Sequence, residues 1–223
     1  MGSRRSLAAA AGLGVAAVTA AATVTVAPTV SEVPARPPEC GPRCEPVFDV
    51  VFSGSARLAG WRDTEAPGGP SVLAYYVGDR IRDTEVLDGR AVTDGTCGGR
   101  LATQRCVVGF DSGMHGSGAL ASLLTEDRGI EVSDEVVGTA PGATVARLDD
   151  DDHPDVALRH STYEPSYAQA PQYWETYVQS DGTFVRTGCT APAHDKTPVP
   201  TEPARGRCPE PDQRSGPSNG VPV

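Results

Sequence analysis

The chain has a single lysine, Lys196, and a single asparagine, Asn219, among its 223 residues. Arginine carries nearly all the positive charge, and 29 acidic residues against 19 basic ones leave a net charge of -10. A surface of that sign repels phosphate backbones, which excludes nucleic acid as a partner. Asn219 is followed by Gly220 and Val221, so no N-glycosylation acceptor exists. Aromatic residues make up only 5%, and no apolar run beyond residue 27 approaches the ~20 residues of a membrane span. No internal repeat is visible in the residue identities. Scarce Lys and Asn beside abundant Arg, Ala, Gly, Pro and Val match the codon bias of a GC-rich genome.

What is present at the N-terminus reads as an export leader. Arg4 and Arg5 form a positive start, residues 7–27 carry no charge, and Ala20, Ala21 and Ala22 fit a small-residue cleavage site. Residues 1–22 are therefore expected to be a signal peptide used by Sec, or by the twin-arginine route that Arg4-Arg5 partly matches. The protein is expected outside the cell, and at a membrane only if this segment stays uncleaved.

Proline draws the remaining boundaries. Of 20 prolines, six lie between Pro28 and Pro46 and eight between Pro192 and Pro222. Such flanks read as extended or unstructured chain. The division expected is a proline-rich flank at 23–46, a globular domain at 47–190 and a proline-rich tail at 191–223. Cys97, Cys106 and Cys189 fall in the centre, and Cys40, Cys44 and Cys208 in the flanks. Complete pairing therefore requires at least one bond from a flank to the centre. Six cysteines allow 15 connectivities. Proximity favours Cys40 with Cys44, Cys97 with Cys106 and Cys189 with Cys208, each worth about 2–3 kcal/mol. Zinc held by Cys40 and Cys44 is the competing reading, but no second close cysteine pair or paired histidines accompany them.

β-branched and aromatic runs predict strands at 47–53, 72–77, 106–111, 144–148, 155–160, 173–179 and 183–187. Asp88-Gly89 and Asp181-Gly182 suit tight hairpin turns. Leu120, Leu123 and Leu124 between Ser117 and Gly129 predict one helix over 118–128. The fold class expected is mainly β with one short helix, as a disulfide-stapled antiparallel sheet or a small sandwich or barrel.

One motif carries chemistry: an acidic turn at 146–158, with Asp149, Asp150, Asp151 and Asp152 followed by His153, Pro154 and Asp155. With the hairpin around Asp181-Gly182 it resembles a single FG-GAP or VCBS-type repeat over residues 144–187. The resemblance implies a Ca2+ loop in which Asp149, Asp151 and Asp155 give carboxylates and His153 a backbone carbonyl, oxygen ligands that suit a hard cation. Arg147 stands in the place of that family's first aspartate and Asp152 in the place of its glycine, changes that lower calcium affinity. The alternative is a solvated turn that protects a strand edge.

A second constellation is aromatic. Tyr163, Tyr167, Tyr173, Trp174 and Tyr177 fall within fifteen residues. In a strand, Tyr173, Glu175 and Tyr177 share one face and Trp174, Thr176 and Val178 the other. The cluster suits either core packing or a surface for a cell-wall glycan or another secreted protein. Catalytic residue types also occur, in Asp111, Ser112 and His115, although triad members normally come from separated segments. The function expected is a secreted, non-enzymatic binding or structural module at the cell exterior. The alternative is a small hydrolase using His115 or His160 with nearby carboxylates. The two differ in whether a histidine, a carboxylate and a nucleophile converge in a pocket.

Overall fold

A computed structural model describes residues 34–52, 55–65, 70–100, 103–194 and 197–209. The expected signal peptide and the end of the proline-rich tail lie outside these residues. Twelve strands form three four-stranded antiparallel meanders. Sheet 1 comprises β1 (Cys44–Val51), β2 (Ala56–Asp63), β3 (Ser71–Val77) and β4 (Arg80–Leu87). Sheet 2 comprises β5 (Ala91–Arg100), β6 (Thr103–Asp111), β7 (Ser117–Thr125) and β8 (Gly129–Gly138). Sheet 3 comprises β9 (Ala143–Ala146), β10 (Asp155–Ser161), β11 (Gln172–Ser180) and β12 (Thr183–Cys189). In each sheet the strands pair in chain order.

The sheets stack with sheet 2 in the middle and like strands over one another. β1 lies against β5 and β5 against β9, while β4 lies against β8 and β8 against β12. Propeller blades stack in the same sense. The repeat that residue identities hide is thus a repeat of hydrogen-bonding order.

Sheet 2 is buried on both faces, and β6 shows why. Cys106, Val108 and Phe110 point toward Leu58, Leu73 and Tyr75 of sheet 1. Val107, of opposite parity, packs with Ala119 against Val156 and Leu158 of sheet 3. A strand between two apolar layers loses the alternation of a half-buried one and becomes a continuous apolar run. The same constraint corrects the expected helix: residues 117–125 are strand β7. Leu120 and Leu124 face sheet 1, while Leu123 of the other parity lies beside Gly182. Leucines on both faces of a strand imitated a helical stripe.

The other expected strands are all present. Asp181-Gly182 makes the two-residue turn of the β11–β12 hairpin, with φ of 51° and 81°. Asp88-Gly89 instead joins sheet 1 to sheet 2, since β4 and β5 do not pair. The aromatic ring of Phe48 fills a slot between sheets 1 and 2 that two glycines keep open. A Cβ on Gly95 would sit 2.5 Å from Phe48 Cζ, and one on Gly60 would sit 2.8 Å from both Phe48 Cδ1 and Val92 Cγ1.

The outer face of sheet 1 is apolar too, that of sheet 3 carries Trp174, and the described parts of the two flanks lie across them. Ala59, Trp61, Val72, Ala74 and Tyr76 pack with buried Cys40 and Cys44. The Trp61 indole donates to the Tyr76 hydroxyl (3.1 Å), which donates to the Ala35 carbonyl (2.7 Å). On sheet 3 the Trp174 indole donates to the Thr197 carbonyl (3.0 Å), and the Ala204 N–H donates to the Thr176 hydroxyl (2.9 Å). All six cysteines are paired, as Cys40–Cys44, Cys97–Cys106 and Cys189–Cys208.

Two perturbations test this stack by denaturant unfolding. Gly95→Ala is expected to cost about 1–3 kcal/mol by overpacking Phe48. Replacing Cys189 and Cys208 together by Ala opens a loop of sequence separation 19 and is expected to cost about 3 kcal/mol. The double variant should also shift tryptophan emission to the red as Trp174 is uncovered. An unchanged midpoint in both would contradict the packing described.

Candidate binding surface and the buried charges beneath it

Two connections meet at one end of sheets 2 and 3. The β6–β7 turn carries Met114 and His115 and is closed by the Ser112 N–H donating to the Gly116 carbonyl (3.0 Å). The β10–β11 connection carries Tyr163 and Tyr167 and is closed by the Thr162 N–H donating to the Pro171 carbonyl (3.0 Å). The His115 and Tyr167 rings meet edge to face at 4.4 Å and 64°, and Tyr163 leans on Tyr167 at 5.6 Å and 47°. Met114 is 83% exposed and Tyr163 49%.

The conformation of Tyr163 is specified in detail. Its φ is 61°, a left-handed value that bulky residues seldom adopt. Its N–H donates to the Ser161 hydroxyl (3.1 Å) and its own hydroxyl donates to the Thr139 carbonyl (3.0 Å). An exposed ring is therefore held by its backbone at one end and by its hydroxyl at the other.

The other three aromatics of the cluster take no part in this surface. Tyr173 is buried and stacks on His160 at 5.3 Å. Trp174 is buried under the C-terminal segment, with the Arg159 guanidinium 6.0 Å from its ring. Tyr177 meets Phe184 edge-on between sheets 2 and 3. The strand parity expected for them holds, but here both faces of β11 are covered.

Below Tyr163 lies a cluster of buried titratable groups. Glu175 and His160 are 6% and 8% exposed, and His160 Nε2 is 2.8 Å from Glu175 Oε2. That contact is close without the alignment of a hydrogen bond. Arg186 Nη1 donates to the other Glu175 oxygen (3.2 Å), and the Tyr177 hydroxyl also bonds this carboxylate. Burial pushes the Glu175 carboxyl up, but His160, Tyr177 and Arg186 together outweigh it and hold the group below its ordinary range. Burial, followed by the Glu175 charge, raises the Tyr177 phenol. On its far side His160 Nδ1 is 3.5 Å from the Thr139 hydroxyl, which also accepts the Ser161 N–H (3.1 Å). The Thr139–His160–Glu175 row has the composition of a hydroxyl, imidazole and carboxylate triad. His160 and Glu175 are buried, Thr139 is half-buried, and its hydroxyl is engaged by the Ser161 backbone N–H. His115 is exposed and meets Tyr167 edge to face, and no carboxylate pairs with it among the described residues.

Among the described residues, Glu175, Cys189 and Cys208 are the one group whose ligand atoms lie within 4.8 Å of one another. The two sulfurs are bonded to each other, so the set offers no thiolates to a metal. The cavity of about 620 Å³ formed by Thr190 and Thr197 to Arg205 lies within the C-terminal segment and contains no histidine.

The acidic turn is organised by its own backbone. Asp155 is fully buried. Its Oδ2 accepts the N–H groups of Leu148 (2.8 Å) and Asp149 (3.3 Å), and its Oδ1 accepts that of Gln179 (2.9 Å). Burial raises its pKa against the lowering effect of these donors. Asp149 Oδ1 accepts the Asp151 N–H (3.1 Å), and Asp151 Oδ1 accepts the His153 N–H (2.7 Å). The turn rests on the β5–β6 hairpin, where a Cβ on Gly98 would collide with the Asp152 carbonyl. Arg105 braces it, with Nη1 3.2 Å from His153 Nε2 and Nη2 donating to Asp181 (2.9 Å). Arg147 is exposed. The carboxylate oxygens of Asp149, Asp151 and Asp155 do not lie within 4.8 Å of one another as a set of three.

Sequence reasoning singled out Tyr163 and Tyr167 in one cluster and His115 in another and missed their meeting, because only the stacking of sheets 2 and 3 brings residues 112–116 to residues 162–171. It also missed Thr139, which carries no chemical signal in sequence. Comparison with known proteins yields no matching family model, curated protein or solved structure.

Two charged groups give opposite expectations. Asp155→Ala leaves three backbone N–H groups without their acceptor and is expected to cost about 1–3 kcal/mol at pH 7. Because the folded-state pKa of Glu175 is lowered, its contribution is present above the ordinary glutamate pKa and is lost as pH falls through the folded value. Glu175→Gln should therefore flatten the acid limb of the stability profile, and an unaltered limb would contradict the network.

Proposed function

We propose that this chain is an exported, non-enzymatic binding module that meets its ligand through Tyr163, Tyr167, His115 and Met114. The observation that carries the reading is Tyr163, an exposed aromatic ring fixed in a left-handed backbone conformation by hydrogen bonds at both ends. Strain of this kind costs on the order of 1–3 kcal/mol, and it concentrates at ligand-contacting sites, where a pre-set geometry reduces the entropy lost on binding. Export is supported by the leader-like residues 1–22 and by complete pairing of the cysteines, since such bonds persist in oxidising surroundings. Binding rather than catalysis is supported by the placement of the two candidate histidines. His160 is covered, and His115 has an aromatic neighbour in place of a carboxylate. The acidic turn is assigned the role of a brace for the β5–β6 hairpin.

The test is a comparison of the wild type with Tyr163→Ala/Tyr167→Ala. Soluble peptidoglycan fragments, neutral oligosaccharides and short peptides would be titrated by calorimetry and by amide chemical-shift mapping. A ligand of this surface should lose about 2 kcal/mol of affinity in the variant, a factor of about thirty, with the unfolding midpoint little changed. Equal binding by both proteins, or shifts that avoid residues 112–116 and 162–171, would remove the basis of the reading.

A further inference from the structure

We infer that the occupant of this surface is a cationic side chain, arginine or lysine, carried by a segment of another secreted protein. This rests on the reading above and adds the chemistry of the partner.

The ring geometry decides between the candidate ligands. A pyranose stacks on flat aromatic surface, and a run of sugars needs rings that are close to coplanar. Here neither pair of rings in contact is coplanar: Tyr163 is tilted 47° to Tyr167, and His115 stands at 64° to Tyr167. Tilted rings form a corner of several π-faces and edges, which suits one compact group approached from more than one direction. A cation is the group that aromatic faces attract beyond simple area burial. The polarizable thioether of Met114, 83% exposed beside His115, adds an adaptable contact for the methylene stem of such a side chain.

Charge points the same way. The segments 111–116 and 162–171 contain the exposed Glu164 but neither lysine nor arginine, while the half-buried Asp111 already has Arg62 as a charged neighbour. A carboxylate beside an aromatic corner strengthens attraction for a cation and repels an anionic polymer. The whole chain, at -10, adds a long-range field of the same sign. A protein segment is favoured over a free small cation because an extended chain can continue past the corner along the neighbouring loop backbone. A single ammonium group would have only the rings to contact.

The experiment uses the full chain and three probes: acetyl-Gly-Arg-Gly-amide, the same peptide with citrulline in place of arginine, and an N-acetylglucosamine tetramer. Chemical-shift titration of the amides and of the tyrosine ring resonances reports both location and affinity. The arginine peptide should shift Tyr163, Tyr167 and His115, and the citrulline peptide should bind them at least fivefold more weakly. Tyr163→Leu keeps apolar area and removes the ring quadrupole, and should weaken the arginine peptide about fivefold. Glu164→Gln, which leaves the rings intact, should weaken it and reduce its salt dependence. Saturation of the same rings by the sugar tetramer, with no preference for arginine over citrulline, would overturn the cationic partner and leave the binding surface standing. Arginine-peptide binding that maps elsewhere, or that Tyr163→Leu and Glu164→Gln both leave unchanged, would overturn the inference as well. If none of the probes moves these rings, both readings fall.

Discussion

Burial of sheet 2 on both faces is the constraint from which the rest of the structure follows. A four-stranded meander with apolar residues at both parities is insoluble alone, and stacking sheets 1 and 3 on it satisfies both faces at once. The stack then has two outer faces with large aromatic side chains to cover, Trp61 and Tyr76 on one side and Trp174 on the other. The described flanks answer this by lying across them, much as terminal caps close a repeat array. Proline-rich chain suits the task. It loses little conformational entropy when held extended, and it lacks the regular N–H donors that would invite another strand. The Cys40–Cys44 and Cys189–Cys208 bonds sit where each flank joins its sheet, so oxidation and capping are one device.

How much of this was legible in the sequence depended on whether the signal was local. The disulfide pairs followed from proximity, and the Asp181-Gly182 hairpin from the backbone angles its residues favour. Strands such as β3 and β10 declared themselves by β-branched and aromatic runs. The strands that were missed, β2, β4, β5 and β8, carry other chemistry, and β2, Ala56 to Asp63, has no β-branched residue. β4, Arg80 to Leu87, and β8, Gly129 to Gly138, are edge strands with charged residues toward solvent, and β5 is interrupted by Gly95, Gly98 and Gly99. Two of those glycines are there because Phe48 and the acidic turn come too close for a Cβ. That is tertiary information which a local reading takes for a loop. The leucines of β7 misled for the same reason: two-sided burial of a central strand erases its period of two.

The candidate surface was legible only in pieces. Five aromatics within fifteen residues drew attention to the right stretch, yet strand parity alone could not say that both faces of β11 are covered. The C-terminal segment, distant in sequence, covers one, and sheet 2 covers the other. What remains exposed lies in the connection before β11, where a left-handed tyrosine follows a buried strand. The acidic turn was conspicuous for its composition, but the interactions that shape it come from elsewhere. Asp155 reaches backbone donors on both sides of its own hairpin, and Arg105 ties the turn to sheet 2.

The charges under the surface bear on why Tyr163 can be held in a strained state. A left-handed bulky residue persists only where its surroundings over-determine it. Here the residues that fix it are themselves fixed. Ser161 closes strand β10, and Thr139 is bound through its hydroxyl to the Ser161 N–H. His160, between Thr139 and Glu175, is packed by Tyr173 and backed by a carboxylate that Arg186 and Tyr177 also engage. Both acceptors that hold Tyr163, the Ser161 hydroxyl and the Thr139 carbonyl, thus belong to residues that are bonded to each other and packed against this buried network, and that keeps the ring outward.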